Sequence, residues 1–108
     1  MAVNVNNTQY LVTTATSIAL TCPLNSQITF LKVNAVNNDT VPRLLTVWRV
    51  GSGGTATNTA RLLPPTSMGV GTTVLPFSGQ TLVGGQTLQV KATATSVMVL
   101  SIGYVQTP

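Results

Sequence analysis

The sequence predicts an all-β fold, an antiparallel β-sandwich of about seven or eight strands in a jelly-roll or immunoglobulin-like layout. Two patterns carry that expectation. Apolar residues alternate with Thr, Ser, Asn and Gln, and Gly, Pro and Asn interrupt the alternation every eight to twelve residues or so. A third observation agrees with them: no run of helix formers places apolar residues three and four apart. The length of 108 residues points to one domain spanning 1–108, because two would each fall below the size that builds a comfortable core. Residues 1–8 read as an extended N-terminal arm.

A strand opens the domain between Gln9 and Leu20. Gln27 to Asn37 forms a long strand whose phase slips: Ile28 and Phe30 share one side, while Leu31, Val33 and Ala35 share the other. Either a bulge or burial on both faces explains the slip. The turn Asn37-Asn38-Asp39-Thr40 uses residues that tolerate left-handed geometry, and Pro42 then forbids a helix. Arg43 to Val50 resumes as a strand in which Leu44, Thr46, Trp48 and Val50 alternate with Leu45, Val47 and Arg49. These two strands are expected to form a hairpin through Asn37 to Arg43. Gly51-Ser52-Gly53-Gly54 reads as a flexible hairpin loop, since a phosphate cradle needs a following helix and a Lys-Ser or Lys-Thr pair. Ala56 to Leu63 is a further strand, closed by Pro64-Pro65. Thr72 to Leu75 and Gln80 to Val83 are edge strands or ordered loops among closely spaced glycines. Thr87 to Ala94 turns Leu88, Val90, Ala92 and Ala94 to the core, and Val97 to Val105 does so with Met98, Leu100, Ile102 and Tyr104. The short link Ala94-Thr95-Ser96 predicts that this last pair is a hairpin.

Charge is scarce. Only 6% of residues are charged against a usual quarter or so, and the net charge of +4 comes from Lys32, Arg43, Arg49, Arg61 and Lys91 against Asp39 alone. These cations are scattered with no basic run, which disfavours nucleic-acid binding. Lacking acids to pair with inside the chain, they are expected to meet an acidic partner surface rather than merely to solubilise strand edges. With no His and one carboxylate, neither a carboxylate pair nor a Ser-His-Asp arrangement can form. The ligand set for zinc or calcium is missing too. The expectation is a protein that is not an enzyme and uses no metal or other cofactor. Cys22 stands alone among Leu20, Pro23 and Leu24, so it reads as a small buried hydrophobe and no intrachain disulfide can form. The opening residues resemble no signal peptide, and no apolar stretch approaches the ~18 residues of a membrane span. Synthesis in a reducing cytoplasm, with no membrane partner, is therefore expected.

The candidate core residues are Phe30, Trp48, Leu88, Val90, Leu100 and Ile102, all at mid-strand positions, with Phe30 and Trp48 filling the space between the sheets. Candidate interface residues are Arg43, Arg61 and Lys91, through their unmatched charge, and Phe77, whose setting Leu75-Pro76-Phe77-Ser78-Gly79 is loop-like.

Several stretches together resemble small β-sandwich structural proteins of tailed bacteriophages. They are Cys22-Pro23-Leu24-Asn25-Ser26-Gln27-Ile28, Leu45-Thr46-Val47-Trp48-Arg49-Val50-Gly51-Ser52-Gly53-Gly54, Gly84-Gly85-Gln86-Thr87-Leu88-Gln89-Val90-Lys91-Ala92 and the closing Gly103-Tyr104-Val105. Gln86 departs from the pattern, which often has an acid at that turn. The resemblance covers most of the chain in layout and composition, and it brings no catalytic residues. It implies a virion structural protein, a capsid decoration or cement subunit that oligomerises as a trimer and binds the major capsid protein or another virion protein. The alternative it implies is a neck, tail-fibre or baseplate component. A carbohydrate-binding module, by contrast, would need a row of exposed aromatics.

Overall fold

In the computed structural model, which describes residues 4–57, 60–94 and 97–108, two antiparallel sheets pack face to face as an all-β sandwich. Among these residues nine strands build it: β1 (Asn4–Val12), β2 (Ser17–Thr21), β3 (Gln27–Asn37), β4 (Arg43–Val50), β5 (Arg61–Met68), β6 (Gly71–Leu75), β7 (Thr81–Val83), β8 (Thr87–Ala92) and β9 (Met98–Thr107). The first sheet runs β1-β9-β3-β6, with β7 also on β3, and the second runs β2-β8-β4-β5. Of the expected arm over residues 1–8, residues 1–3 lie outside the described residues and residues 4–8 are not an arm. They belong to β1, which pairs with β9 from Asn4↔Gln106 to Val12↔Met98.

Alternation decides what lies between the sheets. Ile28, Phe30, Val33, Ala35, Leu100 and Ile102 of the first sheet are buried against Leu45, Val47, Leu88, Val90 and Ala92 of the second. The phase slip in β3 is a bulge: Phe30 pairs with Tyr104 and Lys32 with Gly103, leaving Leu31 as the extra residue. Ile28 and Phe30 therefore face the core along with Val33 and Ala35, while Leu31 is exposed.

Opposite this bulge, the edge strand itself breaks. β6 pairs with Val33 to Asn37 and β7 with Gln27 to Thr29. The loop between them bonds to Phe30 instead, through Phe30 N–H to Gln80 O (2.9 Å) and Gly79 N–H to Phe30 O (2.8 Å). Gly79 takes φ 86°, a left-handed conformation that a side chain would strain. This kink drives Phe77 inward, where it is 2% exposed. In this chain Phe77 is a core residue and not an exposed interface anchor; the loop-like sequence around it conceals a side chain that fills the gap in the sheet edge.

Two expected hairpins are absent, because β3 and β4 lie in different sheets, as do β8 and β9. Each link is a corner between layers. Five residues reach about 16 Å, enough to cross the ~10 Å between stacked sheets, so a short connection fits a corner as well as a hairpin. Thr95 and Ser96 of the second link lie outside the described residues. The β3–β4 corner is closed by Asn37, 1% exposed at the end of the inward-facing row. Its amide nitrogen donates to Val41 O and Met68 O (both 3.0 Å), and its oxygen accepts from Asp39 N–H (2.9 Å). The left-handed non-glycine residue among those described is Asn25 at φ 66°, not one of the Asn37 turn. The loop after β4 does join a hairpin, since β4 and β5 pair in one sheet.

β5 begins at Arg61 and runs through Pro64-Pro65 instead of ending there. Residues 58 and 59 of the expected Ala56 to Leu63 strand lie outside the described residues. The register jumps from Leu45↔Thr66 to Val47↔Leu63, so both prolines fall in a bulge. β5 is also an edge strand, where a missing N–H leaves no ladder bond unmade.

Two substitutions probe this arrangement. Phe77→Ala should lower unfolding free energy by about 3–5 kcal/mol, the usual range for a buried Phe truncated to Ala. Asn37→Ala strands two carbonyls and one N–H at the corner and should cost about 2–4 kcal/mol. Urea unfolding midpoints check both.

Candidate functional site

The chain has no His, one acidic side chain and one thiol, and the features that distinguish its surface are its cations and exposed apolar groups. The thiol of Cys22 is fully buried, beside Leu82 O at 3.5 Å and Ser26 O at 3.4 Å. Burial raises its pKa, partly offset by a backbone hydrogen bond from Ile28, which keeps it protonated and inert at neutral pH.

The candidate interface residues separate. Arg43 is engaged within the chain: its Nε and terminal nitrogen both reach Asp39 Oδ2 at 2.6 Å. Arg49 is a tie across one end of the sandwich, donating to Gln80 Oε1 at 3.5 Å and Thr81 O at 3.4 Å. Arg61 and Lys91, in contrast, converge on the outer face of the β2-β8-β4-β5 sheet. There they flank a groove of about 230 Å³ whose lining includes Leu44, Thr46, Trp48 and Pro65.

Pleating builds this groove. Leu45 and Val47 point inward, so Leu44, Thr46 and Trp48 point out. Thr46 stands opposite Lys91 and Trp48 opposite Arg61. Thr93 closes one end, its Oγ1 accepting from Leu44 N–H at 3.0 Å. Trp48 is 7% exposed yet lies outside the hydrophobic cluster between the sheets. It is buried, as expected, but on the other side of its strand. The sequence signal was available, since Trp48 shares its phase with the polar Thr46.

The outer face of the other sheet has a different character. Leu11, Val99, Val36 and Thr72 form one cross-strand row, and Gln9, Ser101, Asn34 and Val74 the next. Val5, Val105 and Thr29 follow beyond Asn7, Gly103 and Lys32. Val5, Leu11 and Val74 are 73%, 50% and 63% exposed. Lys32 is the sole charge in these rows. At their centre, Asn34 Oδ1 is buried without a hydrogen-bond partner.

The chain matches no family model and no curated protein.

Asp39 gives a pH signature. The Thr40 N–H, at 2.7 Å, and then Arg43 hold its carboxyl below the ordinary value of 3.8. A carboxyl depressed in the folded state stabilises above its unfolded pKa, and the contribution disappears as pH falls through the folded value. Stability should therefore fall in Asp39→Asn at about pH 6, with the gap to wild type shrinking below about pH 4. Urea midpoints across that range measure it.

Proposed function

We propose that this chain is a virion structural subunit, a decoration or cement protein that oligomerises and stabilises a capsid by binding its outer surface. The observation that carries this reading is the nearly uncharged outer face of the β1-β9-β3-β6 sheet, where Lys32 is the one charge in the rows. Val5, Leu11 and Val74 stand exposed on this face with Val36, Val99 and Val105 beside them, and the residues between are neutral amides and hydroxyls apart from one lysine, a surface that suits burial against another protein. β1 adds a nine-residue edge with neither proline nor charge, the kind of edge that a second subunit covers. A trimer is the proposed assembly, and the partner is the major capsid protein. The absence of His and of a second carboxylate agrees with a role performed by contact rather than turnover.

Sedimentation of the pure protein, alone and with capsids, tests the proposal. Wild type should assemble as trimers at micromolar concentration and co-sediment with capsids. Val74→Lys and Leu11→Lys alter exposed positions and should leave the fold intact while weakening self-association at least about tenfold, through a desolvated charge. A strictly monomeric wild type that ignores capsids would overturn the reading. Counting copies per particle separates a decoration role from a neck, tail-fibre or baseplate one.

A further inference from the structure

The groove over Trp48 stands on the opposite face from the proposed assembly surface, and its chemistry is different. We propose that it receives a carboxylate side chain, Asp or Glu, from an acidic segment of a protein partner. The inference rests on the reading of this chain as a contact-making subunit, which supplies the protein nature of the partner; the carboxylate follows from the groove itself.

Charge is the first reason. Arg61 and Lys91 border the groove with no carboxylate to neutralise them, because the single acid of the chain is Asp39 and it is bound to Arg43. They stand on β5 and β8, one strand away from β4 on either side, opposite Trp48 and Thr46 respectively. Strand spacing and the two-residue offset separate their backbones by roughly 12 Å. That distance exceeds what forces two cations together, and both long side chains can still reach one anion placed between them.

Size and surface narrow the ligand. About 230 Å³ is below the ~300–1,000 Å³ of pockets that enclose drug-sized molecules, so the groove suits one side chain and not a nucleotide or oligosaccharide. Bases and sugars bind tryptophan by stacking on an open ring face, whereas Trp48 is only 7% exposed. What remains on offer is two cations at the rim, the Thr46 position between them and an apolar wall from Leu44 and Pro65 for the methylenes of the acidic side chain. An arginine at such a site pairs with a carboxylate through its planar fork, while the lysine acts as a point charge.

The test uses the one tryptophan as reporter, since its indole N–H gives a single NMR signal. Acetylated hexaglutamate is titrated into the full chain at low salt, with hexalysine and an oligothymidine of matched length as comparisons. The Trp48 indole signal should shift with hexaglutamate and not with hexalysine. Binding should weaken at least about tenfold in Lys91→Glu and on raising salt to about 0.5 M, where screening shortens to a few ångströms. Arg61→Gln provides a second variant, and Lys32→Glu, which changes the opposite face, should bind as wild type does. Thermal melting verifies that each variant is folded. No shift with hexaglutamate at millimolar concentration, binding indifferent to Lys91→Glu, or tighter binding of the oligothymidine would each overturn the proposal. Oligomerisation lost in Val74→Lys but retained in Lys91→Glu would show that the assembly face stands even if the groove does not.

Discussion

Burial of every second residue between two pleated layers is the constraint on which the rest of this molecule depends. Ile28, Phe30, Val33, Leu45, Val47, Leu88, Val90, Leu100 and Ile102 are all essentially inaccessible to solvent. Fully burying one such side chain contributes about 1.5–3 kcal/mol, whereas a surface ion pair such as Arg43–Asp39 is screened by solvent and contributes far less. A chain with this composition has no electrostatic alternative, so the layer must close well at its corners. Asn37 shows what closure requires: a polar side chain taken fully out of water is tolerated because each of its amide atoms finds a backbone partner.

Period-two patterning makes the strands legible from the residues alone. It locates the long β3 and its slip at Leu31 and the core rows of β8 and β9, while the buried state of Cys22 follows from its apolar neighbours. Pattern does not say which strands share a sheet. An apolar row on β8 and one on β9 look alike whether the strands lie side by side or face each other across the core, and the five-residue link permits both. Pro64-Pro65 misleads for a related reason: proline ends a central strand, but an edge strand with a bulge carries it without losing a ladder bond. Phe77 is hidden by its neighbours. Its burial depends on the gap that the β3 bulge opens in the facing edge, a tertiary event with no local signature.

Of the candidate interface residues, alternation alone could have turned Lys91 and Trp48 outward on their own strands, but the pairing of β4 with β8 was needed to bring them together and the register of β5 to add Arg61. Charge is thereby segregated. One outer face carries a single lysine among valines and neutral polar side chains, while the other holds two unmatched cations around a shallow groove. A molecule built this way presents two outer faces of unlike chemistry.

The position of β9 has a temporal consequence. It occupies the middle of its sheet, between β1 and β3, although it is the last of the nine strands in sequence order. As the polypeptide emerges from the ribosome, β1 waits while β2 to β8 are made, without the neighbour it was made to join. Only when residues 98–107 slide between the two waiting strands can that layer become continuous. Completion of that sheet thus waits until this strand has been synthesised, and a copy broken off before it would leave β1 and β3 without the neighbour they share.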